Sequence, residues 1–113
     1  MILHEKLTIR LFKDEKCFGP GMAELLERVQ EYHSLRAAAI SMGMAYSKAW
    51  TMMKNAEAQL GFSLLRRVTG GVGGGGATLT AEAERLLSLY RTYQEEVGAF
   101  ARDRFQTLFA ELL

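Results

Sequence analysis

The sequence predicts a mainly α-helical domain of the α+β class, on three observations. Apolar residues recur at helical spacing through most of residues 21–61 and 81–112. Residues 6–13 instead alternate apolar with mostly polar side chains, which is typical of a half-buried strand. Six of the eleven glycines fall within residues 70–76, between two short stretches that favour strands. Because the chain has 113 residues, we expect a single domain that spans residues 1–113.

The composition excludes several classes of protein. With 49% hydrophobic and 24% charged residues, the chain is neither disordered nor fibrous. The longest stretch without a charge, residues 68–81, is too short to span a bilayer, and His4, Glu5 and Lys6 interrupt the start before a signal peptide could form. The single Cys17 cannot form an internal disulfide, which favours a buried thiol in a reducing, cytoplasmic compartment. Two histidines and one cysteine do not make a zinc site without carboxylates, and we expect no metal and no cofactor.

The net charge of +1 is distributed unevenly along the chain. Residues 34–70 carry five cationic side chains against Glu57 alone, a net charge of +4, whereas residues 20–33 and 71–113 each have a net charge of −2. A basic middle segment between acidic flanks favours one face for a polyanion and other faces for contacts with protein. An ordinary solvated surface without a polyanionic ligand also accounts for an excess of positive charge of this size.

The N-terminal part of the chain predicts a strand, a turn and a helix. The strand covers residues 6–13, where every second side chain is apolar. Residues 14–21 are predicted as a turn, because they end in Gly-Pro-Gly. Residues 21–33 are predicted as the first helix, and its apolar stripe consists of Leu25, Leu26, Val29 and Tyr32.

Two short helices joined by a sharp turn are predicted next, over about residues 34–61. Ser34 is the predicted N-cap of the first helix, and Gly43 ends it because glycine tolerates the left-handed backbone of a tight turn. Three consecutive alanines between them leave room for another helix to approach closely. Ser47 is the predicted N-cap of the second helix, which stops at Gly61. This arrangement is typical of a helix-turn-helix.

A glycine-rich hairpin and a long helix complete the predicted chain. Residues 64–68 and 77–80 are the two strands of the hairpin, and Thr80 is the predicted N-cap of a helix over about residues 81–112. The apolar positions of this helix extend over about thirty residues, which is more than one small domain can cover. We therefore expect a homodimer in which a second chain covers this helix. The alternative is a helix that breaks near Gly98 and folds back.

The predicted architecture is therefore a winged helix-turn-helix with an N-terminal strand, a two-stranded glycine-rich wing of about residues 64–80 and a long C-terminal dimerisation helix. The second helix of such a motif fits the major groove of double-stranded DNA, where cationic and polar side chains contact phosphates and base edges. Trp50 lies beside the apolar stripe and is interpreted as a core residue, with a base contact as the alternative. The candidate DNA-binding residues lie on the opposite face of that helix, at the start of the preceding helix and on the wing: Arg36, Tyr46, Ser47, Lys48, Thr51, Lys54, Asn55, Arg66 and Arg67.

Other functions fit single features of the sequence. Residues 71–76 formally match the GxGxxG fingerprint of dinucleotide-binding proteins, but they do not lie between a strand and a helix of a βαβ unit, so nucleotide binding is not expected. His4 and His33 have no evident nucleophile or carboxylate partner, so we do not expect an enzyme. The long apolar helix also suits a protein-interaction module that dimerises without specific DNA binding, and such a module would shift no genomic fragment at moderate salt.

Several stretches resemble the DNA-binding domain of the molybdate-responsive regulators, the ModE family. Residues 43–50 (GMAYSKAW) are similar to the turn and recognition helix of that family, and residues 69–80 (TGGVGGGGATLT) to its glycine-rich wing. Residues 34–44 (SLRAAAISMGM) resemble its first motif helix, a pattern that LysR-type regulators share more loosely. The N-terminal KLTIRLF and FGPG segments are also similar, so the resemblance covers about residues 6–97.

This resemblance implies a transcriptional regulator that binds palindromic double-stranded DNA. It implies a homodimer formed through the terminal elements, the C-terminal helix and the N-terminal strand. It also implies that Tyr46, Ser47, Lys48 and Trp50 lie in or beside the recognition surface. The family is linked to molybdenum metabolism, but no part of this sequence matches its molybdate-binding region, so we do not expect these residues to bind molybdate themselves.

Overall fold

The computed structural model describes residues 2–68 and 75–113, and its architecture confirms the mainly α winged helix-turn-helix that the sequence predicts. In chain order, the elements are β1 (Leu11–Phe12), β2 (Lys16–Phe18), α1 (Pro20–Tyr32), α2 (Leu35–Ser41), α3 (Tyr46–Leu60), β3 (Leu65–Val68), β4 (Gly76–Leu79) and α4 (Ala81–Leu108), followed by a 3-10 turn (Ala110–Leu112). β1 and β2 form one antiparallel pair, and β3 and β4 form another. The glycine-rich tip of the predicted wing, residues 69–74, lies outside the described residues.

The N-terminal strand is much shorter than the predicted residues 6–13. β1 contains only two residues and pairs with the three residues of β2. Residues 2–10 belong to no sheet, because a strand needs a neighbour that accepts and donates its backbone hydrogen bonds. The predicted turn over residues 14–21 is also wrong, since the chain turns at residues 13–15 and returns at once as β2. The N-terminal segment is therefore a small hairpin preceded by a lead, residues 2–10, that belongs to no helix or strand.

The two ends of α2 confirm the sequence prediction. The Ser34 hydroxyl accepts a hydrogen bond from the backbone N–H of Ala37 at 3.1 Å, which makes Ser34 the N-cap. Gly43 follows the helix with φ of +68°, a backbone conformation that disfavours residues with a side chain. Ala38 and Ala39 of α2 have no exposed surface, so neighbouring helices pack against α2 at close range.

The start of α3 differs from the prediction. Ser47 does not cap this helix, because α3 begins one residue earlier, at Tyr46. The carbonyl oxygen of Ala45 accepts hydrogen bonds from the N–H groups of Lys48 and Ala49, both at 3.1 Å, so Ala45 is the N-cap position. Ser47 lies in the first helical turn instead, with its side chain exposed.

Thr80 joins the wing to α4. Its hydroxyl accepts a hydrogen bond from the N–H of Ala83 at 3.1 Å, as an N-cap should, and donates one to the carbonyl oxygen of Ser63 at 2.7 Å. On the other side of the wing, the N–H of Ala77 donates to the carbonyl oxygen of His33 at 2.9 Å. The wing is thus tied both to the end of α1 and to the start of α4.

α4 is one unbroken helix of 28 residues, about 42 Å long, so the alternative of a break near Gly98 is wrong. Its first half packs on the body, where the ring of Tyr90 meets Phe18 edge-on with centroids 5.0 Å apart, and Arg91 pairs with Glu27. The second half leaves the body, and the chain measures 60 × 30 × 21 Å. In the described part of the chain, no helix combines the length and the apolar character that a membrane span needs.

Tyr90 also connects α4 with the N-terminal segment. Its hydroxyl donates a hydrogen bond to the carbonyl oxygen of Ile9 at 2.7 Å, which fixes the chain just before β1. Burial raises the pKa of Tyr90 above its ordinary value, although the positive charges of Arg91 and Arg10 lower it in part. The hydrogen bond with Glu27 raises the pKa of Arg91 in turn, so this guanidinium stays charged.

Candidate nucleic-acid interface

The exposed side of α3 forms a polar ridge. The opposite side, with Ala49, Met53 and Ala56, is at most 2% exposed and packs into the core. Because these residues recur at helical spacing, the polar residues between them must point away from the core. We use the term recognition ridge for the exposed polar residues of α3, which are Ser47, Lys48, Thr51, Lys54 and Asn55.

A cleft of about 790 Å³ separates the recognition ridge from the wing. We call it the wing cleft; Tyr46, Trp50 and Lys54 line it from α3, Arg36 from α2 and Arg67 from β3. The Arg36 guanidinium lies 4.2 Å from the centroid of the Tyr46 ring, a cation–π contact that orients this charge against α3. Three cationic side chains therefore line one flank of the ridge.

One carboxylate also lines the wing cleft and joins α3 to the wing. Oε2 of Glu57 accepts a hydrogen bond from the N–H of Leu64 at 2.7 Å, just before β3. Its Oε1 lies 3.3 Å from Nζ of Lys54, which is also 5.5 Å from the centroid of the Trp50 ring. The charge of Lys54 is therefore partly compensated inside the protein.

A second cleft, of about 570 Å³, lies on the other flank of the recognition ridge, against β2. We call it the hairpin cleft; Lys48 and Asn55 line it from α3, and Arg10 and Lys16 line it from the N-terminal segment. In residues 2–68 and 75–113, none of these three cationic side chains takes part in an ion pair. The ridge is thus flanked by cationic side chains on both sides.

Comparison with known proteins identifies the family. Residues 22–84 match the family described as bacterial regulatory helix-turn-helix protein, lysR family. The chain belongs to this LysR-type family. It is 38% identical over 90 residues to the transcriptional regulator ModE of Yersinia pestis. The matched region covers 80% of this chain and 32% of that protein. The molybdenum transport protein ModE of Herbaspirillum seropedicae is 37% identical over 89 residues, which cover 79% of this chain and 30% of that protein.

These relatives confirm the resemblance of this LysR-type chain to ModE, and the chain spans about a third of their length. A solved structure supports the same fold. The protein chain in the crystal structure of a CbnR_DBD–DNA complex superposes on this chain with a TM-score of 0.59 and is 26% identical in sequence. The superposed region covers 78% of this chain and 94% of that chain.

The structure divides the candidate residues of this LysR-type domain into separate groups. Those on the wing flank are Arg36, Tyr46, Lys54 and Arg67. Those on the hairpin flank are Lys48 and Asn55. Ser47 and Thr51 are exposed on the crest between the two clefts, and Arg66 is exposed on β3, opposite Thr78, without lining either cleft. In the described ranges, no three His, Cys, Asp or Glu side chains are grouped so that they could hold a metal ion.

The interpretation of Trp50 as a core residue is wrong, since its side chain is 42% exposed and lines the wing cleft. Each helical residue advances by about 100°, so Trp50 points well away from its buried neighbour Ala49. The helical spacing of Tyr46, Trp50 and Lys54, each four residues from the next, could have revealed this shared face.

Arg10 and Lys16 were not among the residues predicted to bind DNA. Arg10 lies just before β1 and Lys16 at the start of β2, and the predicted strand and turn gave no reason to place them beside α3. They meet the recognition ridge only because the hairpin folds against that helix. No periodicity within the chain encodes this contact between distant segments.

Proposed function

We propose that this chain is the DNA-binding domain, residues 1–113, of a homodimeric transcriptional regulator. The observation that carries the proposal is the recognition ridge of α3, which is exposed and polar and has a cationic cleft on each side. The major groove of B-form DNA is about 12 Å wide and admits an α-helix. A helix that lies in it has one phosphate backbone on each flank, which is where the cationic side chains lie.

The residues divide into two proposed roles. Lys48 and Asn55 carry the donors and acceptors that suit guanine and adenine edges, and Ser47 and Thr51 lie on the crest that would approach the groove floor. Phosphates are the proposed partners of the remaining candidates, which are Arg36, Tyr46, Lys54, Arg66 and Arg67. The solved CbnR_DBD–DNA complex, whose protein chain shares this fold, supports DNA as the ligand.

A second copy of the chain is the proposed partner of α4. Beyond the body, the side chains of Tyr93, Phe100 and Leu108 are 51%, 68% and 64% exposed. A contiguous apolar surface of this kind is typical of a helix that packs against a partner. The N-terminal lead also exposes Leu3 and Leu7, at 48% and 49%. The C-terminal helix and the N-terminal lead around Leu3 and Leu7 are therefore the proposed dimer contacts.

We also propose that the regulated genes belong to molybdenum metabolism. The names of the relatives support this link, since one is a molybdenum transport protein ModE and others are transcriptional regulators named ModE. A regulator of this kind acts in the cytoplasm, where the chromosome of a bacterium lies.

Selection of bound fragments from a genomic DNA pool tests the proposal. We expect one enriched motif with two-fold symmetry, because a symmetric dimer presents two equivalent α3 helices. Lys48→Ala should weaken binding to this motif by roughly 5- to 150-fold, the range of one good base contact, whereas Lys13→Ala, which is exposed and outside both clefts, should not. Failure of every fragment to enrich would contradict the proposal and leave the protein-interaction module.

The dimer has its own test. Light scattering should give about twice the chain mass of 12.6 kDa. Phe100→Glu should lower this mass towards that of the monomer, because it places a charge on the apolar side of α4. Gln106→Glu adds the same charge to an exposed polar position of α4 and is the matched control. A wild-type chain that is monomeric at micromolar concentration would contradict the proposed dimer.

A further inference from the structure

We propose that the N-terminal hairpin, residues 11–18, together with Arg10 immediately before it, is a second DNA-contacting element that acts opposite the wing. Its proposed ligand is the phosphate backbone of the DNA strand on the hairpin flank of α3, and Arg10 and Lys16 are the residues that bind it. The inference rests on the proposed function, because it assumes that the recognition ridge enters a major groove.

The positions of the charges carry the inference. Lys16 and Arg10 line the hairpin cleft together with Lys48 of the recognition ridge, and the side chains of both Lys16 and Arg10 are exposed. Three cationic side chains around one cleft repel one another, and in the described ranges no carboxylate pairs with any of them. A polyanion that enters this cleft would compensate the three charges at once.

The two acidic residues of the hairpin lie away from this cleft. The backbone N–H groups of Asp14 and Glu15 both donate to Oε1 of Gln59, at 3.2 Å each, near the C-terminal end of α3. Lys48, by contrast, is in the first turn of that helix. Neither Asp14 nor Glu15 lines the hairpin cleft, so a phosphate there meets the cations first.

The hairpin is also held rigidly enough to position a contact. Gln59 fixes its turn, Phe18 at its end is 1% exposed, and the hydroxyl of Tyr90 fixes the carbonyl group of Ile9 immediately before Arg10. Side chains on an ordered scaffold lose less conformational entropy on binding than those on a mobile segment. The backbone positions from which Arg10 and Lys16 extend are therefore fixed beside α3.

The arrangement matches the geometry of a duplex. A helix in the major groove has a sugar–phosphate backbone on either side. On the wing flank, Arg36, Lys54 and Arg67 face one backbone, and on the hairpin flank Arg10 and Lys16 face the other. The hairpin and the wing would then hold the duplex from both sides, and neither contact would depend on the base sequence.

Salt dependence of DNA binding tests the hairpin contact. Lys16→Gln and Arg10→Gln each remove one charge, and Lys13→Gln removes a charge from the turn of the same hairpin, outside the cleft. Fluorescence anisotropy would measure their affinity for short duplexes of random sequence and for the duplex recovered by selection. Each phosphate contact contributes about 0.9 to the slope of log affinity against log salt. Between roughly 50 and 200 mM salt, each cleft variant should thus lose three- to four-fold less affinity than the wild type.

The expected pattern is specific. Lys16→Gln and Arg10→Gln should weaken binding to both duplexes by the same factor and leave the selected motif unchanged, and Lys13→Gln should behave like the wild type. Circular dichroism melting verifies that each variant is folded. Wild-type slopes in the Lys16 and Arg10 variants, equal losses in Lys13→Gln, or an altered motif would overturn the hairpin contact while the proposed function stands. A wild-type chain that binds neither duplex would overturn both.

Discussion

Glu57 links α3 to the wing, and two substitutions separate its two interactions. Glu57→Gln keeps a side-chain oxygen that can accept the hydrogen bond from the N–H of Leu64, but it removes the charge that faces Lys54. Glu57→Ala removes both interactions and leaves the N–H group of a fully buried residue without an acceptor. Lys54→Met removes the ion pair and the contact of Nζ with the Trp50 ring but keeps the hydrogen bond from Leu64 to Glu57, so it serves as the control.

The structure sets the size of each effect. A hydrogen bond to a charged acceptor contributes about 1.5–3 kcal/mol and one to a neutral acceptor about 0.5–1.5 kcal/mol, so Glu57→Gln should cost about 1 kcal/mol of unfolding free energy. Glu57→Ala should cost about 2–3 kcal/mol, because an unsatisfied buried N–H is added to the lost bond. The Lys54 side chain is 53% exposed, so solvent screening should limit the cost of Lys54→Met to about 0.5 kcal/mol.

Urea unfolding followed by circular dichroism measures these differences. The protein concentration must be equal for all variants, because dimerisation makes apparent stability depend on it. The expected order of unfolding free energy is wild type, Lys54→Met, Glu57→Gln and then Glu57→Ala. Equal costs for the two Glu57 variants would refute the importance of the hydrogen bond to Leu64. If Lys54→Met lowered the unfolding free energy as much as Glu57→Ala, the expectation that the exposed ion pair contributes little would be wrong.

Three further predictions concern α4. Thr80→Ala should cost about 1–2 kcal/mol, because it removes the N-cap and the bond to Ser63, and thermal unfolding compared with Thr80→Ser measures it. Burial raises the pKa of Tyr90, so the native state keeps a proton that the unfolded chain releases, and unfolding free energy should fall as pH rises above about 10. Urea unfolding at a series of pH values measures this decrease, and Tyr90→Phe should make it smaller. An unchanged dependence of the unfolding free energy on pH would show that other groups cause the decrease. Gly98→Ala should stabilise by up to about 1 kcal/mol in thermal unfolding, because its added methyl group meets only the flexible end of Arg102 at 3.4 Å; a loss would indicate packing at Gly98.

Glu57→Gln should also affect binding of DNA, in the opposite direction to its effect on stability. It removes a negative charge from the wing cleft and releases Nζ of Lys54 for a phosphate. We expect several-fold tighter binding and a steeper salt dependence in the anisotropy assay described above. Weaker binding would instead indicate that Glu57 positions the wing for its DNA contact.

Local signals in the sequence predicted the helices and most of their ends. Ser34 and Thr80 act as N-caps because a hydroxyl satisfies a backbone N–H three residues later, a rule that needs no tertiary context. Gly43 and Gly61 end helices with positive φ for an equally local reason. Ser47 had the right chemistry for a cap, but the turn from Gly43 brings the chain into helical geometry two residues earlier, so that Ala45 takes the N-cap position.

The two flanks of the recognition ridge could not be predicted in the same way. The polar face of α3 follows from helical periodicity, but what lies beside each flank depends on how distant segments fold against it. Lys16 reaches the ridge only because β2 packs on α3, and Arg10 because Tyr90 holds the preceding residue from α4. The alternation of residues 6–13 predicted a strand, yet it carried no information about whether a partner strand existed.

The bond between Thr80 and Ser63, together with the contacts of Tyr90 and Arg91 on the body, sets the angle at which α4 leaves the body. Over the roughly 42 Å of that helix, a difference of about 10° in this angle moves its far end by about 7 Å, which is comparable to two base-pair steps of 3.4 Å. If the far ends of two such helices are joined, the distance between the two half-sites depends on the packing at these contacts. Proteins with the same ridge and a different angle of α4 would then prefer differently spaced operators, so spacing and base preference could evolve independently.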